Sequence, residues 1–245
     1  MKILLTIDDT DDLESPGTGH LAAAIGDFVR ASGWGEPCYV TRHQLLVHPD
    51  IPYTSHNSSM CLGLEVRPDA LDEVIDGAAR FLTRHSAPRS DPGLCVAVPE
   101  RMAGTKPLIE FGRRAKELVI AKSEAYLVAR RMGVHLSEHG GTGLGVIGAL
   151  AGTGLRLDGN DGRLRGRVAI PAGVESLTVR DLRAYPEVDA VCDDEGREIP
   201  DGVEVLLAPK VKSVMRGGRA VVLVTASAEG AIPWRTRTIP ELRGY

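Results

Sequence analysis

Residues 3–21 read ILLTIDDTDDLESPGTGHL. The opening, Ile3-Leu4-Leu5-Thr6-Ile7, is apolar and rich in β-branched residues, the composition of a buried strand. It turns abruptly into Asp8-Asp9-Thr10-Asp11-Asp12, four carboxylates in five residues. Like charges of this density cannot be buried unpaired, so the strand is expected to deliver them to the rim of a sheet. Hard carboxylate oxygens at such a rim suit Mg²⁺. Ser15-Pro16-Gly17-Thr18-Gly19 comes next, small residues that let backbone N–H groups approach an anion. The helical spacing of Leu21, Ile25, Phe28 and Val29 then places Thr18 and Gly19 near a helix N-terminus, where phosphate binds well. Acid cluster, glycine turn and helix start together read as a metal–phosphate site. The alternative is a solvated acidic loop followed by an ordinary cap.

Outward from this stretch, the pattern predicts a strand over 2–7 and a helix over 18–33 that ends at Gly33. Cys38 to Val47 and Ser59 to Val66 read as strands, separated by a loop broken at Pro49 and Pro52. Pro68 opens a helix with apolar positions at Leu71, Val74, Ile75, Ala78, Phe81 and Leu82, and Gly93 to Val98 is a short buried strand. The order β-α-β-β-α-β is that of a ferredoxin-like sheet. A long helix, basic on one side, is expected from Leu108 to Met132, closed by Gly133, and an apolar helix from Val146 to Ala151. Beyond Gly154 turns recur, with short apolar runs between them at Val168–Ile170, Val203–Leu207 and Ala220–Val224. The expected fold class is therefore α+β: a ferredoxin-like βαββαβ start with additional helices, over 1–157, then a smaller β-rich region, over 158–245.

A second constellation spans Gly140 to Gly148, with five glycines in nine residues ahead of a helix. Backbone that must wrap an anion, with a helix dipole facing it, accounts for that entropic cost. Gly140, Gly141, Thr142, Gly143 and Gly145 are the candidate cradle; a tightly packed turn is the alternative. No Lys-Ser/Thr follows, so this is not a Walker A loop. The third constellation is Thr41-Arg42-His43 with the loop from His48 to Ser58. Arg42 could clamp a phosphate. His48, Tyr53, His56 and Asn57 are candidate substrate-binding groups, against the alternative of a polar surface loop. The spacing of the histidines fits no zinc motif.

Bulk properties narrow the class. Hydrophobic residues make up 43% and charged residues 25% of the chain, ordinary for a soluble globular protein, and no apolar run approaches a membrane span. Cys38, Cys61, Cys95 and Cys192 are scattered without a CxxC pair, so free thiols and a cytoplasmic protein are expected. Aromatic residues at 4% argue against a base-stacking platform. The segment from Pro209 to Tyr245 carries seven Lys and Arg against Glu229 and Glu241, a basic tail that could attract phosphate or RNA but could equally be a solvated face.

IDDTD followed by glycine, threonine and a helix, then a proline loop with Ile51-Pro52, then the glycine-rich segment ending in Ile147-Gly148-Ala149-Leu150, resembles the archaeal agmatidine synthase family, TiaS. The resemblance covers roughly residues 1–155 in three islands. It implies an enzyme that uses ATP with Mg²⁺; in that family the product is agmatidine, made from agmatine on an isoleucine tRNA. Carried over, Asp8, Asp9 and Asp11 hold the metal, with Asp9 and Thr18 in the catalytic role and Thr18 handling phosphate. The loop from His48 to Asn57 matches the family's proline loop, and Gly141 to Leu150 its glycine segment. The family's asparagine and arginine loop positions appear here as His48, His56 and Leu144. Its longer members continue into an oligonucleotide-binding domain and a zinc ribbon; with no CxxC pair here, a short form without them is expected. A short TiaS-like enzyme is therefore expected: an Mg-ATP-dependent, nucleotide-binding transferase or ligase, tRNA-modification-related by kinship, acting on a small-molecule acceptor, with tRNA doubtful. A metal-dependent phosphohydrolase and a noncatalytic nucleotide- or RNA-binding module are the rivals.

Overall fold

The computed structural model describes residues 1–51, 56–228 and 231–245. The chain divides into two compact units, Met1–Asp158 and Gly159–Tyr245. The first unit runs β1 (Lys2–Asp8), α1 (Thr18–Ala31), β2 (Gly35–Gln44), β3 (Ser58–Val66), α2 (Leu71–His85), β4 (Gly93–Ala97), α3 (Lys106–Arg114), α4 (Lys122–Met132), β5 (His135–Glu138) and α5 (Gly145–Asp158). Its sheet has the order β5-β4-β1-β3-β2, antiparallel at every step. The ferredoxin-like core expected from the sequence is present, with β5 added beside β4 and α3, α4 and α5 beyond it.

Side-chain alternation on β1 sorts the layers. Ile3, Leu5 and Ile7 face α1 and α2, packing with Leu21, Ile25 and Val29 of the first helix and Val74 and Leu82 of the second. Each fully buried aliphatic side chain contributes about 1.5–3 kcal/mol, so this layer dominates the stability of the sheet. Phe28, Trp34 and Phe81 close its outer end, with Phe28 ring centroids 5.3 Å from Trp34 and 5.7 Å from Phe81. The opposite face carries Thr6 and Cys95 and is covered by α5, whose Thr153 hydroxyl donates to Thr6 Oγ1 at 2.7 Å. Asp8 follows Thr6 on that face, at the end of β1, where the sheet stops and carboxylates can reach a cavity.

One expectation needs correction. Residues 108–132 do not form one helix; α3 ends at Arg114 and α4 begins at Lys122. Val119 and Ile120 are β-branched neighbours with lowered helix propensity. The break lets Ile120 turn into the core behind α5 while Leu118 and Val119 stay half exposed. Leu46 N–H donates to the Ala115 carbonyl at 3.1 Å, so the chain after β2 uses the backbone freed at the helix end. His135–Glu138, left unassigned by pattern alone, is an edge strand.

The second unit is built from short strands, β6 (Arg163–Leu164), β7 (Ser176–Thr178), β8 (Ala190–Cys192), β9 (Glu204–Leu206), β10 (Ser213–Arg216), β11 (Arg219–Ala226) and β12 (Trp234–Thr236), with one short helix, α6 (Val179–Leu182). They pair in the order β6-β10-β11-β12-β9-β7, with β8 parallel to β11. The β10–β11 hairpin turns on Gly217 and Gly218, both at positive φ. Val168–Ile170 forms no strand; Pro171 follows it and offers no N–H to extend a ladder. The four cysteines are free thiols, Cys38 exposed and the others buried. Among the described residues no helix is long and apolar enough to cross a membrane.

Candidate functional site

A cavity of about 360 Å³ opens in the first unit at the rim of the sheet. Asp8, Asp9 and Asp11 line it from the end of β1, Gly17, Thr18 and Gly19 from the start of α1, and Gly145, Ile147 and Gly148 from the start of α5. Two helix N-termini thus face one space, and their partial positive charges favour an anion there. Arg42, His56, Asn57 and Ser58 line the side formed by β2 and β3. An apolar wall comes from Ala115, Leu118, Val119 and Ile120, together with Leu144.

The acid cluster is held tightly. Asp9 has φ 51°, and it is the non-glycine residue in the left-handed region among those described; Asp tolerates that conformation better than most residues. Burial pushes the Asp8 carboxyl up to about 8, and the neighbouring Asp9 charge adds to the effect. Burial likewise raises Asp9 to about 6, with repulsion from Asp91 and a partial offset from the Asp91 main-chain N–H. Thr18 donates its hydroxyl hydrogen to Asp11 Oδ1 at 2.6 Å. Asp12 turns away, accepting from Glu14 N–H at 3.0 Å, with Arg89 3.9 Å from it. Gly148 fits under Asp8 because it has no side chain: a Cβ there would run into the Asp8 carboxylate.

The structure brings Asp8, Asp9, Asp11, Thr18, Arg42, His56, Asn57 and Gly145 to one cavity. Arg42 Nε donates to Ser58 Oγ at 3.0 Å and Nη2 to Gln44 at 3.4 Å, so its guanidinium is braced along β2. Asn57 donates to the Leu46 carbonyl at 2.6 Å. Tyr53 lies outside the described residues. His48 is not in the lining; its Nδ1 accepts from Asp50 N–H at 3.2 Å.

Gly140, Gly141, Thr142 and Gly143 are not in the lining either. Thr142 is taken up by Asp91, which accepts its N–H at 2.7 Å and its hydroxyl, and its carbonyl accepts Lys122 Nζ at 2.7 Å. Gly143 sits at φ 73° against the Glu138 side chain. These residues shape the entry to α5, and it is the first turn of that helix that meets the cavity. The sequence reading missed the apolar wall. Three consecutive apolar residues at 118–120 break a helical face, and that irregularity was its signal. Asp91 gave no signal, because its partner Thr142 lies fifty-one residues away in the chain.

The donor set can be compared with what a cation needs. Among the described residues no group of three or more His, Cys, Asp or Glu side chains is gathered as a ligand cage. Asp11 Oδ1 accepts the Thr18 hydroxyl. Mg²⁺ is commonly held by one or two carboxylates together with water and substrate phosphates, and the raised carboxyls of Asp8 and Asp9 fit that need.

No family model matches the chain. The protein named "Uncharacterized protein MJ0921" of Methanocaldococcus jannaschii is 30% identical over 156 residues, 63% of this chain and 50% of that one. A solved structure of a tRNA fluorescent labeling enzyme is 27% identical with a TM-score of 0.55, over 63% of this chain and 36% of that chain. Apo TiaS, a tRNA agmatidine synthetase, is 25% identical with a TM-score of 0.53, over 63% and 35%. A complex of TiaS with its tRNA and ATP shares the fold, with a TM-score of 0.56 at 23% identity, over 82% of this chain and 50% of that chain. The chain thus spans half or less of the length of these relatives. With the acid turn, the threonine at the first helix and the ferredoxin-like sheet in place, the chain is TiaS-like.

Proposed function

We propose that the cavity of the first unit binds Mg-ATP and that the protein is an ATP-dependent phosphotransferase or ligase-like enzyme, related to agmatidine synthetase and acting on a small-molecule acceptor. The observation that carries this reading is the meeting of two helix N-termini, the Asp8–Asp9 pair and the Thr18–Asp11 hydrogen bond around one cavity. Bound Mg-ATP would supply a transferable phosphoryl group and a cation to balance the carboxylates. Asp8 and Asp9 would hold the cation. The N–H groups at the starts of α1 and α5 would face phosphate oxygens, and Arg42 would add charge from the sheet.

Thr18 is the hydroxyl best placed for chemistry. Asp11 orients it and is in position to take its proton. Phosphoryl transfer requires mainly positioning and charge stabilisation, which this set provides. The apolar wall at Leu118, Val119 and Ile120 would exclude water from one side of the cavity. The acceptor would lie against that wall and the residues His56 and Asn57, in a space suited to a small molecule.

The test is product analysis with γ-labelled ATP and Mg²⁺, with and without a pool of small metabolites, and in parallel with isoleucine tRNA and agmatine. Label passed to an organic acceptor or to the protein supports the reading. Acceptor-independent release of inorganic phosphate makes the protein a phosphohydrolase, and binding without turnover makes it a nucleotide-binding module. Agmatidine in the tRNA reaction would replace the small-molecule acceptor with tRNA.

A further inference from the structure

The connection between α2 and β4, residues 86–92, contributes nothing to the cavity lining yet grips both of its polar walls. On the acidic side, Ala87 N–H donates to the Thr10 carbonyl at 3.0 Å, and the Asp91 main-chain N–H faces the Asp9 carboxylate. On the helix side, the Asp91 carbonyl accepts Gly145 N–H at 3.1 Å. The Asp91 carboxylate takes the Thr142 N–H at 2.7 Å through Oδ1 and the Thr142 hydroxyl through Oδ2. One residue therefore bonds the glycine turn with its side chain and the first residue of α5 with its main chain.

The turn needs such an anchor. Gly141 and Gly143 are in the left-handed region, at φ 53° and 73°, so the backbone there has wide freedom when released. Leu144, Gly145 and Gly148 follow directly and do line the cavity. A shift of the turn would be passed to them within a few residues, and displacement of about 1 Å is enough to spoil a phosphate site.

We propose that Asp91 is a positioning residue for the nucleotide cavity: through Thr142 it fixes the glycine turn, and so it sets the start of α5 opposite the acidic loop. This rests on the Mg-ATP reading above. Asp91 does not touch the ligand in this proposal; its effect is transmitted through backbone that does, and it outweighs the relief that Asp9 would gain from losing the Asp91 charge.

The experiment is titration of the full-length protein with Mg-ATP, well below its melting temperature, so that lost stability alone does not move the dissociation constant. Wild type is expected to bind. Asp91→Ala is expected to bind about tenfold more weakly, and Asp91→Asn, which keeps an acceptor for the Thr142 N–H, only about threefold more weakly. Thr142→Ala should weaken binding in the wild-type background and add little in the Asp91→Ala background, because the two residues act as a pair. Wild-type affinity in both Asp91 variants, with only the melting temperature lowered, overturns the proposal. Full additivity of the Thr142 and Asp91 effects also overturns it. If Asp91→Ala does not fold, Asp91→Asn decides by the same criterion. A wild-type protein that binds no Mg-ATP overturns the nucleotide reading itself, an outcome recognisable before any variant is made.

Discussion

Thr18 Oγ1 and Asp11 Oδ1 lie 2.6 Å apart across the gap between the acidic loop and the first helix, and both residues line the same cavity. Thr18 is almost fully buried, so this hydroxyl is fixed in direction by a carboxylate rather than by bulk water. Thr18→Val should therefore lower phosphoryl turnover by about a hundredfold or more, and Thr18→Ser should restore most of it. Asp11→Asn should reduce turnover by a similar order while Mg-ATP still binds. Turnover of Thr18→Val equal to wild type, measured with labelled ATP, would remove Thr18 from the chemistry.

The Asp8 carboxyl gives a pH prediction. Its ordinary value of 3.8 is raised to about 8 in the folded protein, chiefly by burial. Between these values the folded state holds a proton that the unfolded state has lost, so this group's contribution to stability is present at low pH. It falls as pH rises and is gone above about 8. Asp8→Asn lacks this dependence. Metal-free wild type should accordingly lose stability relative to Asp8→Asn between pH 5 and pH 9, by on the order of 4 kcal/mol, and Mg²⁺ should reduce the difference. Urea midpoints across that range, with and without the metal, check the sign. A wild type that gains on the variant as pH rises would contradict it.

Gly148→Ala probes the close approach of α5 to β1. Its new methyl group would meet the Asp8 carboxylate and approach its Cβ, so the short, buried Asp8 side chain must turn away from the cavity rim or the helix start must withdraw. The variant is expected to lose about 1–3 kcal/mol of stability and most of its Mg²⁺-dependent gain in ATP affinity. Retention of both in calorimetry would show that the helix start can withdraw.

Gly143→Val tests the neighbouring turn differently. Gly143 adopts φ 73° with the Glu138 side chain against it, so a β-branched residue is both strained and crowded. Thermal unfolding should drop by several degrees, with a weaker effect on nucleotide affinity, because Gly143 is outside the cavity lining. A large loss of affinity at unchanged melting temperature would move the phosphate contact into the turn itself.

Val119→Asp addresses the apolar wall. The side chain is 51% exposed, so the charge is solvated and the melting temperature should change by no more than about 2 °C. The wall faces the cavity, and a carboxylate there would repel phosphate across it. ATP affinity should fall at least about threefold. Unchanged affinity for ATP would leave that wall to the acceptor.

Local chemistry made a large part of this protein legible from its residues. The apolar run Ile3-Leu4-Leu5-Thr6-Ile7 marked β1 as a buried strand, and Asp8 to Asp12 could only sit where that strand stops. The βαββαβ order followed from periodicity, and Thr18 at the first helix followed from the glycine turn before it. Other features depend on contacts between distant residues. The split between α3 and α4 came from the demand to bury Ile120 and to satisfy Leu46, which competes with helix propensity and wins. Gly145, Gly148 and Asp8 face one cavity because antiparallel pairing puts the start of β4 beside the end of β1, and α5 packs across both. The glycine turn, which reads as a cradle in isolation, is instead held by Asp91 and Lys122. A hydrogen-bond partner fifty-one residues away leaves no local trace, so only the folded chain could decide which glycines meet the cavity and which merely shape the path to it.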